Sequence, residues 1–428
     1  FPSVSAGWVL TEEEFMTDTS DLINFAKLRA SWGQNGNQSI PNFIYSSQIA
    51  YVFPGYFFGD TKPVSGVTSY PERVTNPDVT WETSEQLNFG FDARFFNSRL
   101  GVNFDWYQKT TKDWLLEAPI LGTSGAGAPF INGGDIENKG VELVLSWNDQ
   151  INDFKYGVTF SGSHNKNEVT RIANTDGIIH GPSHVLSQGT AEVSRVEVGQ
   201  PIGYFYGYKT DGIIQNQDEA DAWVKPTDGT PYFADQRPGD VRFVDQNQDG
   251  VINEDDKVYL GNPNPDFEVG VQINLEFKGV YLNTTLAGKY GMQVMQSYRS
   301  FADNFTQNYT TSVFDRWHGE GTSNRMPRLS YGSNRNQQFI SDIYMHDADY
   351  LRINNLTVGY DFTTMLSEVE AISNLRVYMA VNNLYTFTSY DGMDPEVRFG
   401  HDADWASGID LGLYPLPRTV MFGLSVAF

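Results

Sequence analysis

The chain has 428 residues and a formal net charge of −24, which argues against nucleic acid as a partner, because phosphate binding needs a basic surface. It has no cysteine, which removes disulfides, thiolate metal sites and cysteine nucleophiles. Mean hydropathy is −0.40 and no run approaches the ~18 apolar residues of a spanning helix, so a helical membrane protein is excluded.

The first residues, Phe1-Pro-Ser-Val-Ser-Ala-Gly-Trp8, hold no charged n-region, apolar h-region or small-residue cleavage site and open directly in strand-like sequence. The expectation is a removed signal or a piece of a longer chain. Alternation of apolar and polar residues then recurs. Leu87, Phe89, Phe91, Ala93 and Phe95 face one way, and Asn88, Gly90, Asp92 and Arg94 the other. After a break at Asn97-Ser98, Leu100, Val102, Phe104 and Trp106 oppose Gly101, Asn103, Asp105 and Tyr107. Val141, Leu143, Leu145 and Trp147 pair with Tyr156, Val158 and Phe160 across a polar turn. Val269, Val271, Ile273, Leu275 and Phe277 lead through Lys278-Gly279 into Val280, Leu282, Thr284 and Leu286. Leu375, Val377, Met379 and Val381 alternate with Arg376, Tyr378, Ala380 and Asn382, and Val420, Phe422, Leu424, Val426 and Phe428 close the chain.

These runs predict strands near 1–9, 24–35, 81–96, 99–116, 135–148, 154–169, 265–277, 280–293, 347–362, 373–388 and 415–428. Connections 97–98, 149–153, 278–279 and 363–372 are short; 36–80, 117–134, 170–264, 294–346 and 389–414 are long. A membrane strand needs only ~9–11 tilted residues with every second one apolar. Short turns alternating with long loops is the plan of an outer-membrane barrel, with the last strand running inward to a periplasmic C-terminus. The expected fold is therefore all-β: a transmembrane antiparallel β-barrel, about eleven strands here, with long extracellular loops. An odd number cannot close antiparallel, and open edges in lipid leave backbone groups unsatisfied. The reading is the second half of a larger even-numbered barrel, its other strands supplied by the N-terminal half of the same polypeptide.

Several motifs carry a family resemblance. They are Trp81-Glu-Thr-Ser-Glu-Gln-Leu-Asn-Phe-Gly-Phe-Asp92, Asn132-Gly-Gly-Asp-Ile-Glu-Asn-Lys-Gly-Val-Glu142, Pro238-Gly-Asp-Val-Arg-Phe-Val-Asp245 and Gly261-Asn-Pro-Asn-Pro265. Further along come Asp349-Tyr-Leu-Arg-Ile-Asn-Asn-Leu356, Val381-Asn-Asn-Leu384 and Asp394-Pro-Glu396. In this order the chain resembles the C-terminal half of the barrel of SusC/RagA-type TonB-dependent outer-membrane transporters. The resemblance implies a nutrient importer for oligosaccharides or peptides, with a SusD-like surface lipoprotein as partner and outer-membrane lipid around it. It also implies a plug and a coupling to the TonB complex through an N-terminal part, and no residue present here is assigned that coupling.

One constellation stands without the family. Within the 170–264 connection, residues 245–256 fit a twelve-residue calcium loop. Asp245, Asn247 and Asp249 take positions one, three and five, Gly250 the sharp turn, the Val251 carbonyl position seven, Asn253 position nine and Asp256 position twelve. Hard oxygens at that spacing suit a structural Ca²⁺; a solvated acidic turn is the plain alternative. Loop tryptophans Trp223, Trp317 and Trp405 are candidates for stacking on a substrate, although such residues more often pack loop on loop. His180 and His184 are separated by Gly181-Pro182, which prevents a shared helix face. No catalytic motif is present, so no enzyme is expected. The remaining alternatives are a siderophore-type receptor or passive porin, and a soluble calcium-stabilised carbohydrate-binding or adhesin protein.

Overall fold

The structure is a computed structural model that describes residues 1–19, 21–46, 48–58, 64–118, 120, 122–174, 176–181, 192–297, 309, 311–329, 335–363, 365, 372–397 and 405–427. His184 and Phe428 lie outside the described residues.

Eleven strands form one sheet in strict sequence order, each antiparallel to its neighbour. They are β1 (Ser3–Val9), β2 (Ile23–Asn37), β3 (Glu82–Phe95), β4 (Leu100–Glu117), β5 (Phe130–Ile151), β6 (Phe154–Ile172), β7 (Phe267–Phe277), β8 (Val280–Tyr290), β9 (Tyr350–Asp361), β10 (Asn374–Thr388) and β11 (Thr419–Ala427). Register carries the alternation from strand to strand, because a slip of one residue would turn every side chain to the wrong face. Phe91 pairs with Phe104 and Phe104 with Leu143, so the apolar row is continuous. The same registration puts Arg29, Gly90 and Asp105 in one row on the other face.

The two faces answer to different surroundings. Phe89, Phe104, Val158, Val377, Phe422 and Leu424 stand exposed, Phe422 at 82%. A contiguous bare apolar face of this extent needs a cover, and in a barrel that cover is lipid. The opposite face is laced with ion pairs: Arg29 to Asp92 at 2.7 Å and to Asp105 at 2.9 Å, Lys155 to Glu276 at 2.7 Å, and Arg376 to Asp361 at 2.7 Å. Two glycines show how tightly this face is filled. A Cβ at Gly423 would stand 2.1 Å from the Tyr378 ring across the β10–β11 pair, and one at Gly359 2.4 Å from the Tyr281 ring. Each tyrosine lies flat over the glycine opposite it, which ties register to ring placement.

The closest packing lies in the long connections rather than in the wall. The main cluster holds Phe205, Tyr208, Ile213, Val241, Phe243, Met295, Ile340, Tyr344 and Ile409, drawn from three of them. Short strands frame it. Residues 178–180, 194–197, 204–208 and 257–261 make a four-stranded sheet, and Gln293–Gln296 lies between Met345–Asp347 and Ile409–Asp410. The strand at 293–296 follows β8 after Gly291, so the wall runs directly into this subdomain.

Candidate functional site

Polar anchors lock the connections at one end of the wall. Asp240 is 1% exposed and accepts from Arg328 at 2.7 Å, Arg335 at 3.0 Å and Asn336 at 3.0 Å. Its neighbour Gly239 has φ +88°, and a Cβ there would stand 2.5 Å from the Trp317 ring. Only glycine allows both that conformation and that approach. The Pro238-Gly-Asp motif is thus the clasp between connections 170–264 and 294–346. A buried carboxylate holds only where it is paired, and here two guanidinium groups do so.

A second clasp joins the wall to the 389–414 connection. Arg352 on β9 is 3% exposed and donates to Thr386 at 2.9 Å, Glu396 at 3.1 Å and Asp394 at 2.5 Å. Asp349-Tyr-Leu-Arg-Ile-Asn-Asn-Leu356 and Asp394-Pro-Glu396, separate in sequence, therefore meet in space. Asp410 belongs to the same end: Tyr390 donates to it at 2.6 Å, and its carbonyl accepts from the Ser297 backbone at 2.9 Å.

The acidic loop takes the turn expected of it, and hydrogen bonds within the loop hold its carboxylates. Gly250, at φ +86°, donates to Asp245 at 2.9 Å, and the Val251 amide donates to Asp249 at 2.8 Å. Asn247 accepts from the Asp249 amide at 3.0 Å. Asn253 caps the short helix Glu254–Asp256. Asp256 is fully buried, with its two oxygens accepting from the Gln246 and Asn253 amides at 2.7 and 2.8 Å, which braces the loop. Asp245 keeps one buried oxygen without a hydrogen-bond partner, while the other accepts from Tyr232 at 2.9 Å. Burial, then the hydrogen bond to Asp245, pushes the Tyr232 hydroxyl up to about 12. Among the described residues no three histidine or acidic groups gather as a metal-holding set.

The three tryptophans are half-buried and packed. Trp223 lies against Tyr232 and Phe233, with ring centroids 5.2 and 5.7 Å apart. Trp317 packs on the main cluster. Trp405 packs on a second cluster around Leu116, Ile136, Val169 and Val196. Trp223 and Trp317 pack within the loop cluster and Trp405 packs against the ends of wall strands β4, β5 and β6. The open surfaces near them are polar: a groove of about 650 Å³ lies between Thr210, Gln215, Glu219, Arg242, Glu320 and Asn324. At the opposite, short-turn end, the ion-paired face of the wall holds a concavity of about 810 Å³ between Asn148, Tyr156, Glu276, Tyr281 and Arg376. The clasps around Asp240 and Arg352 are what sequence reasoning missed as functional architecture. Their signal was present in the Pro-Gly-Asp and Asp-Pro-Glu motifs, without the partners.

Comparison with known proteins places this architecture. The family described as TonB dependent receptor-like, beta-barrel matches residues 1–224. The chain belongs to this family. TonB-dependent receptor P3 of Formosa agariphila is 30% identical over 435 residues, covering 100% of this chain and 42% of that protein. TonB-dependent receptor SusC of Bacteroides thetaiotaomicron is 28% identical over 442 residues, covering 100% of this chain and 40% of that protein. The chain thus spans less than half the length of the curated relatives it matches. Among solved structures, the RagAB peptide transporter matches with a TM-score of 0.78 at 23% identity, over 100% of this chain and 43% of that one; that likeness is one of fold. TonB-dependent receptor barrels are outer-membrane receptors and transporters, not enzymes. No helix among the described residues is long and apolar enough to cross a membrane, and the exposed face of the eleven-stranded wall is what a barrel of this family turns to lipid.

Proposed function

We propose that the chain forms the C-terminal part of the barrel of a SusC/RagA-type importer that takes up oligosaccharides or peptides across the outer membrane. The N-terminal part of the same polypeptide supplies the plug, the remaining strands and the coupling to the TonB complex. The long-connection end faces outward and carries a SusD-like surface lipoprotein, and the C-terminus lies in the periplasm. The observation that carries this reading is the interlocked loop subdomain with its own core. A passive pore needs no such structure, whereas a receptor that seats a partner and captures a ligand does. Loops beyond about 12–15 residues are usually functional or disordered, and the described parts of these are folded around a shared core. A stable association would bury more than about 2,000 Å². Affinity purification of the whole transporter from native membranes should recover a surface lipoprotein, and opening the Arg352 clasp should reduce both its recovery and uptake. A transporter purified alone, with uptake unchanged by the clasp variant, would overturn the reading.

We also propose that residues 245–256 bind Ca²⁺ in a structural role. The donor set suits it: the unpartnered Asp245 oxygen, Asn247, Asp249, the Val251 carbonyl and Asn253, with Asp256 bracing the backbone behind them. Binding to the folded loop alone would stabilise it by mass action. EGTA should increase proteolysis within 225–260 and Asp249→Ala should reproduce that state; identical digestion with and without EGTA would leave a plain acidic turn.

A further inference from the structure

The apolar face of the wall is not uniform. Ala6 on β1 pairs with Ala30 on β2, in one row with Phe89 and Trp106. The next row toward the short turns carries Trp8 and Phe104. Two methyl groups beside large rings leave a recess of about 510 Å³ on the outer surface, floored by Ala6 and Ala30 and rimmed by Trp8, Phe89, Phe104 and Trp106. Its lining is mostly apolar: of the polar side chains among the lining residues, the Trp8 indole donates to Glu13 at 2.9 Å and the Arg29 guanidinium pairs with Asp92 and Asp105, which leaves the Trp106 indole.

Depth along the wall chooses the occupant. Phe104 lies four residues into β4, which starts at Leu100 beside the 96–99 turn. At a rise of ~3.3 Å per residue and a tilt of ~40°, that places it roughly 10 Å above the turn, in the turn-side half of an apolar band ~25 Å tall. Trp8 and its hydrogen bond to Glu13, in the connection after β1, mark the boundary where an amphipathic ring meets the headgroups. A recess continuous with the lipid face, mostly apolar and starting at the headgroup level, fits a hydrocarbon chain entering from below. A protein partner held there would find at most the Trp106 indole to bond and would have to match the recess almost by shape alone. We propose that this recess retains one acyl chain of a phospholipid from the leaflet on the short-turn side, as a bound lipid rather than passing solvent. The proposal concerns the wall alone and stands apart from the identity of the substrate or of any lipoprotein.

The test uses the whole transporter, purified and passed through repeated detergent exchange, with retained phospholipid counted per chain by quantitative mass spectrometry. Wild type should keep about one phospholipid per chain. Ala30→Trp, which fills the floor, should lower that number at least tenfold, while Val102→Trp, on the same face outside the recess, should leave it unchanged. If Ala30→Trp fails to assemble, Phe89→Ala removes part of the rim and should lower retention in its place. A wild-type chain that strips clean, or a recess variant that retains as much lipid as wild type, overturns the proposal. So does an Ala30→Trp chain that keeps its lipid but changes oligomeric mass, since the recess would then seat a second copy.

Discussion

Asp240 shows at the scale of one residue how this chain holds its loops. Its carboxylate is enclosed by Arg328, Arg335 and Asn336, all about ninety residues further along. Removing it leaves two guanidinium groups facing a dry interior, a loss of about 3–5 kcal/mol by the rule for one half of a buried pair. We expect Asp240→Ala to expose 205–243 and 335–345 to hydrogen exchange while leaving the wall strands protected; uniform exchange across both would contradict a local clasp. The neighbouring Asp235 is mostly exposed and paired with Arg335, whose guanidinium holds its carboxyl below the usual range. A depressed pKa means stability that is present above the ordinary carboxylate range and lost as pH falls through the lowered value. Loop protection should therefore persist from neutral pH down to that range and fall only below it, as exchange at successive pH values would report. The motif around Asp240 was legible in the sequence and its partners were not, because nothing local to Pro238-Gly-Asp says where two arginines will come from.

At the scale of the element, period-two alternation was sufficient for the wall. All eleven predicted strands are present, most ending within a few residues of the expected bounds, because a lipid-facing strand carries a large apolar residue at every second position. β5 begins at Phe130, not near 135, since Asn132 bonds the Thr80 carbonyl and the Asp113 carbonyl and extends pairing past the glycines. The short loop strands were not legible. At two to five residues, those around the loop core are too short to show the alternation that marks a half-buried strand. Ile273→Arg, on the lipid face of β7, should cost about 2–4 kcal/mol near the midplane and reduce the heat-modifiable folded band on gels. Gly423→Val works from the opposite face: the added carbons displace the Tyr378 ring, for about 1–3 kcal/mol of overpacking. Pairing it with Tyr378→Ala should restore the folded band, and failure of that rescue would show that the glycine serves something other than the ring.

For the whole molecule, the balance of surfaces explains why averages mislead. The wall leaves its large apolar residues bare while the loop core buries Phe205, Phe243, Tyr344 and their neighbours, so a mean hydropathy of −0.40 describes neither part. The expected calcium loop was placed as a turn by its spacing, but spacing could not say that Asp256 would face backbone amides, since those amides come from the fold around it. In the same way the tryptophans were visible as residues that stack, and only the tertiary structure shows them packed against neighbours in the chain.

The two clasps bear on how such proteins diversify. Connections 170–264, 294–346 and 389–414 share one interior, with Gly239 against Trp317 and Met295 beside Ile409. Exchanging one of them with a relative would bring in a surface cut to fit different neighbours. Recombination that yields a working chimera should therefore move these three as a set, with crossovers falling in the strands whose register any barrel of the same plan can accept. The hairpin of 49–58 with 64–71, of which no described residue belongs to that interior, would be free to travel alone.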